Sequence, residues 1–317
     1  MDAHLVRIPG TELQVHRIGL GAMPLSVAGR PDRDRAQGVI RRAIELGMTL
    51  VDTADVYALD DEDIGHNERL VGQTLRAMGA GFGGVPGDPV VVVATKGGMR
   101  RPGGRWVADG RPEHLRVAAE ATLRRLKVER LDLHQLHTPD PDVPFLESVG
   151  ALADLRDRGL IEAVGLSNVT PDQLEAARTI VPIASVQNRL SPWDLGAGPI
   201  PIVERCRKFG ILFLPYGPLG GSGRVAEILN HPPLLEVARK IGSTPAQLIL
   251  AWHLHRHPHV VPIPGASQLS SVESSAGAGS IHLEPAHVRM LDRAFLSLPG
   301  APGFVRRWLR RLRERIR

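Results

Sequence analysis

Cysteine occurs once in this 317-residue chain, at Cys206, so no internal disulfide can form and a reducing, cytoplasmic setting is expected. A lone thiol in a helical stretch needs no chemical role. No run of about 18 uninterrupted apolar residues exists, which excludes a membrane-spanning helix on pattern. The opening residues, MDAHLVRIPG, lack the apolar core and small-residue cleavage site of a secretory signal. Gly/Ser-rich and Pro-rich linkers are also missing, so residues 1–317 read as one domain. With 43% hydrophobic and 23% charged residues, the composition is that of a soluble globular chain able to bury a sizeable core.

A general excess of basic charge is absent as well. The net charge is +5, yet the last 14 residues, FVRRWLRRLRERIR, hold seven arginines and one glutamate, so the rest of the chain lies near neutrality. No nucleic-acid partner is expected for such a body. Within the basic segment 300–317, apolar residues at 305, 308, 309, 312 and 316 form a helical stripe. The expectation is an Arg-rich C-terminal helix packed on the body, with docking to an acidic surface as the alternative.

What is present is a long alternation. Apolar, strand-like runs occupy 18–23, 49–53, 91–96, 131–137, 162–168, 184–188, 211–217 and 260–265, separated by helical patterns at 33–46, 67–78, 113–126, 145–157, 172–179, 200–208, 233–257 and 269–278. Runs apolar on both faces belong to a parallel sheet covered by helices. Eight β–α units in one chain fit an α/β (β/α)₈ TIM barrel better than an open sheet. Residues 1–17 read as a hairpin turning at Pro9-Gly10 and closing the barrel floor.

In such a barrel the chemistry sits where strands end. The second run closes on Asp52 with Tyr57 just beyond, the third on Lys96 and the fourth on His137. A carboxylate, a phenol, an ammonium and an imidazole thus converge from three consecutive strand ends. They suit the protonation of an alkoxide as a hydride reaches a carbonyl carbon. A free phenol, with a pKa of about 10, is a weak acid. An adjacent ammonium favours its phenolate, which predicts Tyr57 as general acid assisted by Lys96. Asp52 would hold Lys96 charged, and His137 would orient the carbonyl oxygen. None of these residues stores a hydride, so a nicotinamide cofactor must bring it.

The segments VDTADVY, ATKGG, QLHTPD, VGLSN and IPGA, in this order and spacing, resemble the aldo-keto reductase superfamily from about residue 14 to about residue 290. GHNERLVGQTL at 65–75 is similar to the helix start that follows the tyrosine in that family. The resemblance implies an Asp52, Tyr57, Lys96 and His137 tetrad. It implies that Ser167, Asn168 and Gln187 hold the nicotinamide carboxamide, that Tyr216 stacks on its ring, and that the loop of Gly217, Pro218, Leu219, Gly220 and Gly221 passes the pyrophosphate. Gly21, Gly265, Ala266, Ser267, Ser271 and Ser275 complete the implied cofactor contacts, and Met23 and Trp106 are expected to line the substrate pocket. Relatives preferring the phosphorylated cofactor carry basic residues after the eighth strand, whereas no Lys or Arg occurs between Val260 and Gly279 here. NADPH is expected nonetheless, through hydroxyl and backbone donors at a helix start, with NADH as the alternative.

Other signals are set aside. Gly79, Gly81 and Gly84 fit G-x-G-x-x-G but follow a helix and precede a strand, the reverse of a dinucleotide fingerprint. The histidines of HLHRHPH read as a solvated helix end rather than a metal site, so no metal is expected, and His134 reads as structural. The acidic ALDDEDIGH reads as a solvated loop. The leading function is NAD(P)H-dependent reduction of a small aldehyde or ketone. The rivals are a cofactor-binding regulatory subunit and a Schiff-base enzyme using Lys96, which needs a desolvated lysine of lowered pKa.

Overall fold

The computed structural model describes residues 5–194, 199–221 and 223–298; the basic segment 300–317 lies outside the described residues. The strands are β1 (Leu5–Arg7), β2 (Gln14–His16), β3 (Leu20–Gly21), β4 (Leu50–Asp52), β5 (Val92–Gly97), β6 (Met99–Arg100), β7 (Val107–Ala108), β8 (Leu131–Leu136), β9 (Ile161–Ser167), β10 (Ile183–Gln187) and β11 (Leu212–Phe213). The helices are α1 (Arg33–Glu45), α2 (His66–Ala77), α3 (Pro112–Leu126), α4 (Phe145–Asp157), α5 (Pro171–Ala177), α6 (Pro199–Phe209), α7 (Val225–Leu229), α8 (Pro232–Ile241), α9 (Pro245–Arg256), α10 (Leu269–Gly277) and α11 (Pro285–Leu296).

Seven parallel strands form one curled sheet in the order β11-β10-β9-β8-β5-β4-β3. The eighth apolar run is not a regular strand. It makes isolated bridges, Val260 to Phe213 and Ile263 to Tyr216 on one side, Gly265 to Gly21 on the other. Its sequence explains this. Val261 and Ile263 donate their N–H groups to Phe213 and Pro215, while the carbonyls of Pro262 and Pro264 accept from Gly19 and Gly21. Pro262 and Pro264 have no N–H to return toward β3, so the ladder on that side is left with one direction of hydrogen bond. The result is an α/β, TIM-barrel-like fold with its two sheet edges joined by a proline-broken segment.

The strand period of two carries the inward face from apolar to polar. Leu50, Val92, Ala94, Leu133, Ala163, Leu212, Val261 and Ile263 share one buried cluster, to which Ile8 and Val15 from the antiparallel β1–β2 hairpin also belong. Two residues beyond Leu50 is Asp52, two beyond Ala94 is Lys96, and four beyond Leu133 is His137. The same faces that fill the interior therefore end in the polar groups of the mouth. Apolar faces of the helices pack outside, as in α1, where Val39, Ile40 and Ala43 are buried.

The single helix expected over 233–257 is two. Gly242, at φ 73°, ends α8 in the left-handed region, and Thr244 caps α9 by accepting from the Gln247 N–H while Gln247 Oε1 accepts from the Thr244 N–H. Thr244→Ala is expected to cost about 1 kcal/mol of stability, seen as a lower calorimetric midpoint with unchanged activity. His253 of α9 is fully buried rather than solvated. The helix is buried on nearly all sides from Leu248 to Leu254, so a histidine in that stretch has no route to water. No described helix is long and apolar enough to cross a membrane, and no group of three His, Cys, Asp or Glu among the described residues is placed to hold a metal.

Candidate active site

At the C-terminal ends of the strands lies a cavity of about 550 Å³. Beneath it, Lys96 is 0% exposed, and its Nζ donates to Asp52 Oδ1 at 2.6 Å, Thr53 O at 2.8 Å and Tyr57 Oη at 2.9 Å. Three N–H donors thus meet three acceptors, as a buried ammonium requires. Burial draws Lys96 below its ordinary pKa, and the Asp52 carboxylate opposes that shift. The Tyr57 hydroxyl also lies 3.5 Å from Asp52 Oδ2. Tyr57 and Tyr216 are the chain's two tyrosines, and both line this cavity.

In the resting site the acidifying effect expected of the neighbouring cation on Tyr57 is outweighed. Burial, and next the negative Asp52, hold the phenol well above the usual value of 10.0. The Lys96–Asp52 pair is close to neutral as a unit, so desolvation of the phenolate prevails. The phenol therefore carries its proton at neutral pH, with the Lys96 ammonium 2.9 Å from its oxygen. His137 is buried, and desolvation with Lys96 nearby holds its pKa well below 6.5, leaving a neutral imidazole. Its Nδ1 is buried without a hydrogen-bond partner. The rings of Tyr57, His137 and Trp106 meet edge-to-face, with centroids 5.8 Å apart for Tyr57–His137 and 6.3 Å for the other two pairs.

The remaining expected residues divide into two groups. Gly21, Met23, Trp106, Ser167, Asn168, Gln187, Tyr216, Gly217, Pro218, Leu219, Gly221 and Gly265 all line the cavity. Ala266, Ser267, Ser271 and Ser275 do not: Ala266 and Ser275 are buried, Ser267 is half-buried beside the start of α10, and Ser271 is exposed on that helix. Gln187 Nε2 donates to Asp52 Oδ1 at 2.7 Å. Asn168, at φ 58°, takes a left-handed conformation that asparagine tolerates better than most residues. That turn lets its Nδ2 donate to His137 O at 3.0 Å while its Oδ1 accepts from Tyr216 Oη at 2.9 Å.

Several supporting residues lie inside the segments that carried the resemblance, among them Asn67 and Glu68 of GHNERLVGQTL, but no role followed from the sequence for any of them. Asn67, fully buried, accepts from Thr53 Oγ1 at 2.6 Å and donates to Ala22 O at 2.8 Å. Glu68, also fully buried, accepts from Thr95 Oγ1 at 2.7 Å and pairs with Arg125 at 2.8 Å. Burial, then Glu68, pushes Asp55 well above 3.8. These groups tie α2 to the strand ends flanking Tyr57; the available signal was polar residues falling on the buried face of a helix. ALDDEDIGH is exposed at Leu59, Asp61 and Glu62, as a solvated loop should be, and is tied to its surroundings where Asp63 pairs with Arg30 at 2.5 Å and Asp61 accepts from the Arg101 backbone N–H at 3.0 Å.

The family model described as Aldo/keto reductase family matches residues 17–295. The chain belongs to the aldo/keto reductase family. A probable aldo-keto reductase 1 of Glycine max is 33% identical over 90% of this chain and 87% of its own length. An uncharacterized oxidoreductase of Schizosaccharomyces pombe is 31% identical over 89% and 87%. Among solved structures, a glycerol dehydrogenase from Gluconobacter oxydans superimposes with TM-score 0.78 at 27% identity, covering 95% of this chain and 98% of the other. An aldo/keto reductase from Klebsiella pneumoniae in complex with NADP and acetate does so with TM-score 0.74 at 28% identity, over 94% and 96%. Members of this family carry out NAD(P)H-dependent oxidoreduction of carbonyl compounds.

The residues present fit a nicotinamide cofactor. Ser167, Asn168 and Gln187 put hydroxyl and amide groups in the cavity lining, and Tyr216 supplies an aromatic face there. Gly217 and Gly221 line the cavity without side chains, at φ of 57° and 74°, so the backbone of that loop is open to a phosphate; Gly220, at φ 102°, packs instead against Trp193. Gly21 has no space for a side chain, since an added Cβ would lie 2.8 Å from Ile263 O.

Proposed function

We propose that this protein reduces an aldehyde or ketone to the alcohol, with Tyr57 as the proton donor. The observation that carries the reading is the Lys96 ammonium, 2.6 Å from Asp52 and 2.9 Å from the Tyr57 hydroxyl, beneath a cavity also lined by His137. When bound, the reduced nicotinamide supplies the hydride. The neutral His137 imidazole donates an N–H to the carbonyl oxygen and sets its direction. As negative charge grows on that oxygen, Tyr57 gives up its proton, and the phenolate left behind accepts a charge-assisted hydrogen bond from Lys96. Asp52 keeps Lys96 charged and aimed. Ser167, Asn168 and Gln187 hold the carboxamide, Tyr216 beds the ring, and the β1–β2 hairpin serves as the barrel floor. Lys96 does not line the cavity and all its donors are engaged, which supports acid catalysis over Schiff-base chemistry.

The direct test is carbonyl-dependent oxidation of NADPH and of NADH, followed by the near-ultraviolet absorbance of the reduced cofactor, with the alcohol identified as product. Consumption of neither cofactor with any of a broad panel of aldehydes and ketones would overturn the reading. NADPH is the preferred cofactor in this reading, with weak discrimination against NADH, since Ser267 and Ser271 offer hydroxyls without charge. Ser267→Arg is expected to lower the KM for NADPH roughly tenfold, the worth of about 1.4 kcal/mol, and to leave that for NADH nearly unchanged. Steady-state kinetics with both cofactors measures it.

A further inference from the structure

The segment joining β5 to α3 carries a buried arginine that catalysis, as described above, does not use. Arg101 is 6% exposed. Its Nη2 donates to Ala58 O at 3.0 Å and to Leu59 O at 3.2 Å, and its backbone N–H donates to Asp61. Its Nε and Nη1 meet no hydrogen-bond acceptor among the described residues. What they have is an aromatic face: the guanidinium carbon lies 3.9 Å from the Trp106 ring centroid. A guanidinium removed from water and only half hydrogen-bonded is a costly group to bury, and a stacked indole is the partner that compensates it.

Trp106 is 45% exposed, yet it is held between this guanidinium and the rings of Tyr57 and His137. On either side of it the chain is fixed by the short β6–β7 hairpin, in which Met99 pairs with Ala108 and Arg100 with Val107. Gly104 lies close against the loop after β4, since a Cβ there would come within 3.1 Å of Leu59 O. The segment is thus fastened to the stretch just beyond Tyr57, and Trp106 stands at the cavity as a fixed ring. No lysine or arginine among the described residues lines the cavity, whereas Met23, Leu219 and Val225 give it an apolar side.

We infer that Arg101 is a positioning residue for substrate choice: stacked on Trp106 and tied to the Ala58 and Leu59 carbonyls, it holds Trp106 edge-on to Tyr57 and His137, and so makes the site selective for uncharged carbonyl compounds bearing a flat aromatic group. The inference rests on the reductase reading of the same site. A flat ring gains edge and face contacts from a fixed indole that a short alkyl chain does not. Arg101→Met keeps the stem volume and removes both the stacking fork and the carbonyl ties.

The test compares 4-nitrobenzaldehyde with propanal in wild type, R101M, W106A and the double variant, and follows acrylamide quenching of Trp106 fluorescence as the difference between each Arg101 form and its W106F counterpart. R101M is expected to raise KM for the aromatic aldehyde about tenfold, to change propanal kinetics by less than about twofold, and to increase Trp106 quenching. In the W106A background R101M is expected to add nothing further. Should R101M not fold, R101K retains the charge without the planar fork and is expected to give a smaller shift in the same direction. Equal losses on both substrates, unchanged quenching, or an undiminished R101M effect without Trp106 would each overturn the inference. The quenching readout needs no turnover, so a chain that reduces no carbonyl sinks the reductase reading while the Arg101–Trp106 clamp is still scored by fluorescence.

Discussion

Tyr57→Phe is expected to lower kcat for carbonyl reduction by about 10²–10⁴, the usual worth of a positioned general acid, while binding of the reduced cofactor stays near wild type. The hydroxyl is the only atom removed, and the ring continues to meet His137 and Trp106 edge-to-face. The loss should therefore fall on kcat and kcat/KM together, as for an interaction made in the transition state. Cofactor titration by quenching of protein fluorescence, beside steady-state reduction, separates the two effects. Near-wild-type turnover in the phenylalanine variant would remove Tyr57 from the chemistry. Because the phenol is held well above 10.0 by burial and by Asp52, its proton is in place throughout the neutral range.

Lys96→Met should injure both stability and rate. It removes the cation from a fully buried pair and leaves Asp52 with Gln187 Nε2 as its close donor at 2.7 Å. Breaking a buried pair from one side costs about 3–5 kcal/mol, measured as a lower denaturant midpoint. The rate should fall about 10²–10³, since the phenolate loses its nearest positive charge. Adding Asp52→Asn to Lys96→Met discriminates the two losses. With no uncompensated charge left, much of the stability should return, whereas the rate should not. Recovery of turnover in the double variant would show that Lys96 serves the fold alone.

Much of this site was legible because a strand end is a chemically conspicuous place. An apolar run that terminates in Asp52, another in Lys96 and another in His137 break the pattern a buried strand must keep, and the period of two then places all three on the inward face with Leu50, Ala94 and Leu133. The helices were readable for a similar reason, with Thr170 and Pro171 opening α5 through a cap whose reciprocal partner is Gln173. Two missed features were marked by local residues that the apolar period does not register. Pattern alone did not separate α8 from α9, although Gly242 marks the break. Nor does alternation reveal that Pro262 and Pro264 reduce the eighth strand to isolated bridges.

The sequence by itself determined the order of β–α units, the inward placement of Asp52, Lys96 and His137 at one end of the sheet, and the need for an outside hydride source, because each follows from local period and from the valence of side chains. Only the tertiary structure decided the direction in which burial and Asp52 shift Tyr57, the link between Gln187 and Asp52 across 135 positions, and the stacking of Arg101 on Trp106. Those depend on how much water is excluded and on which distant groups come within a few ångströms, and neither is encoded in the spacing of residues along a chain.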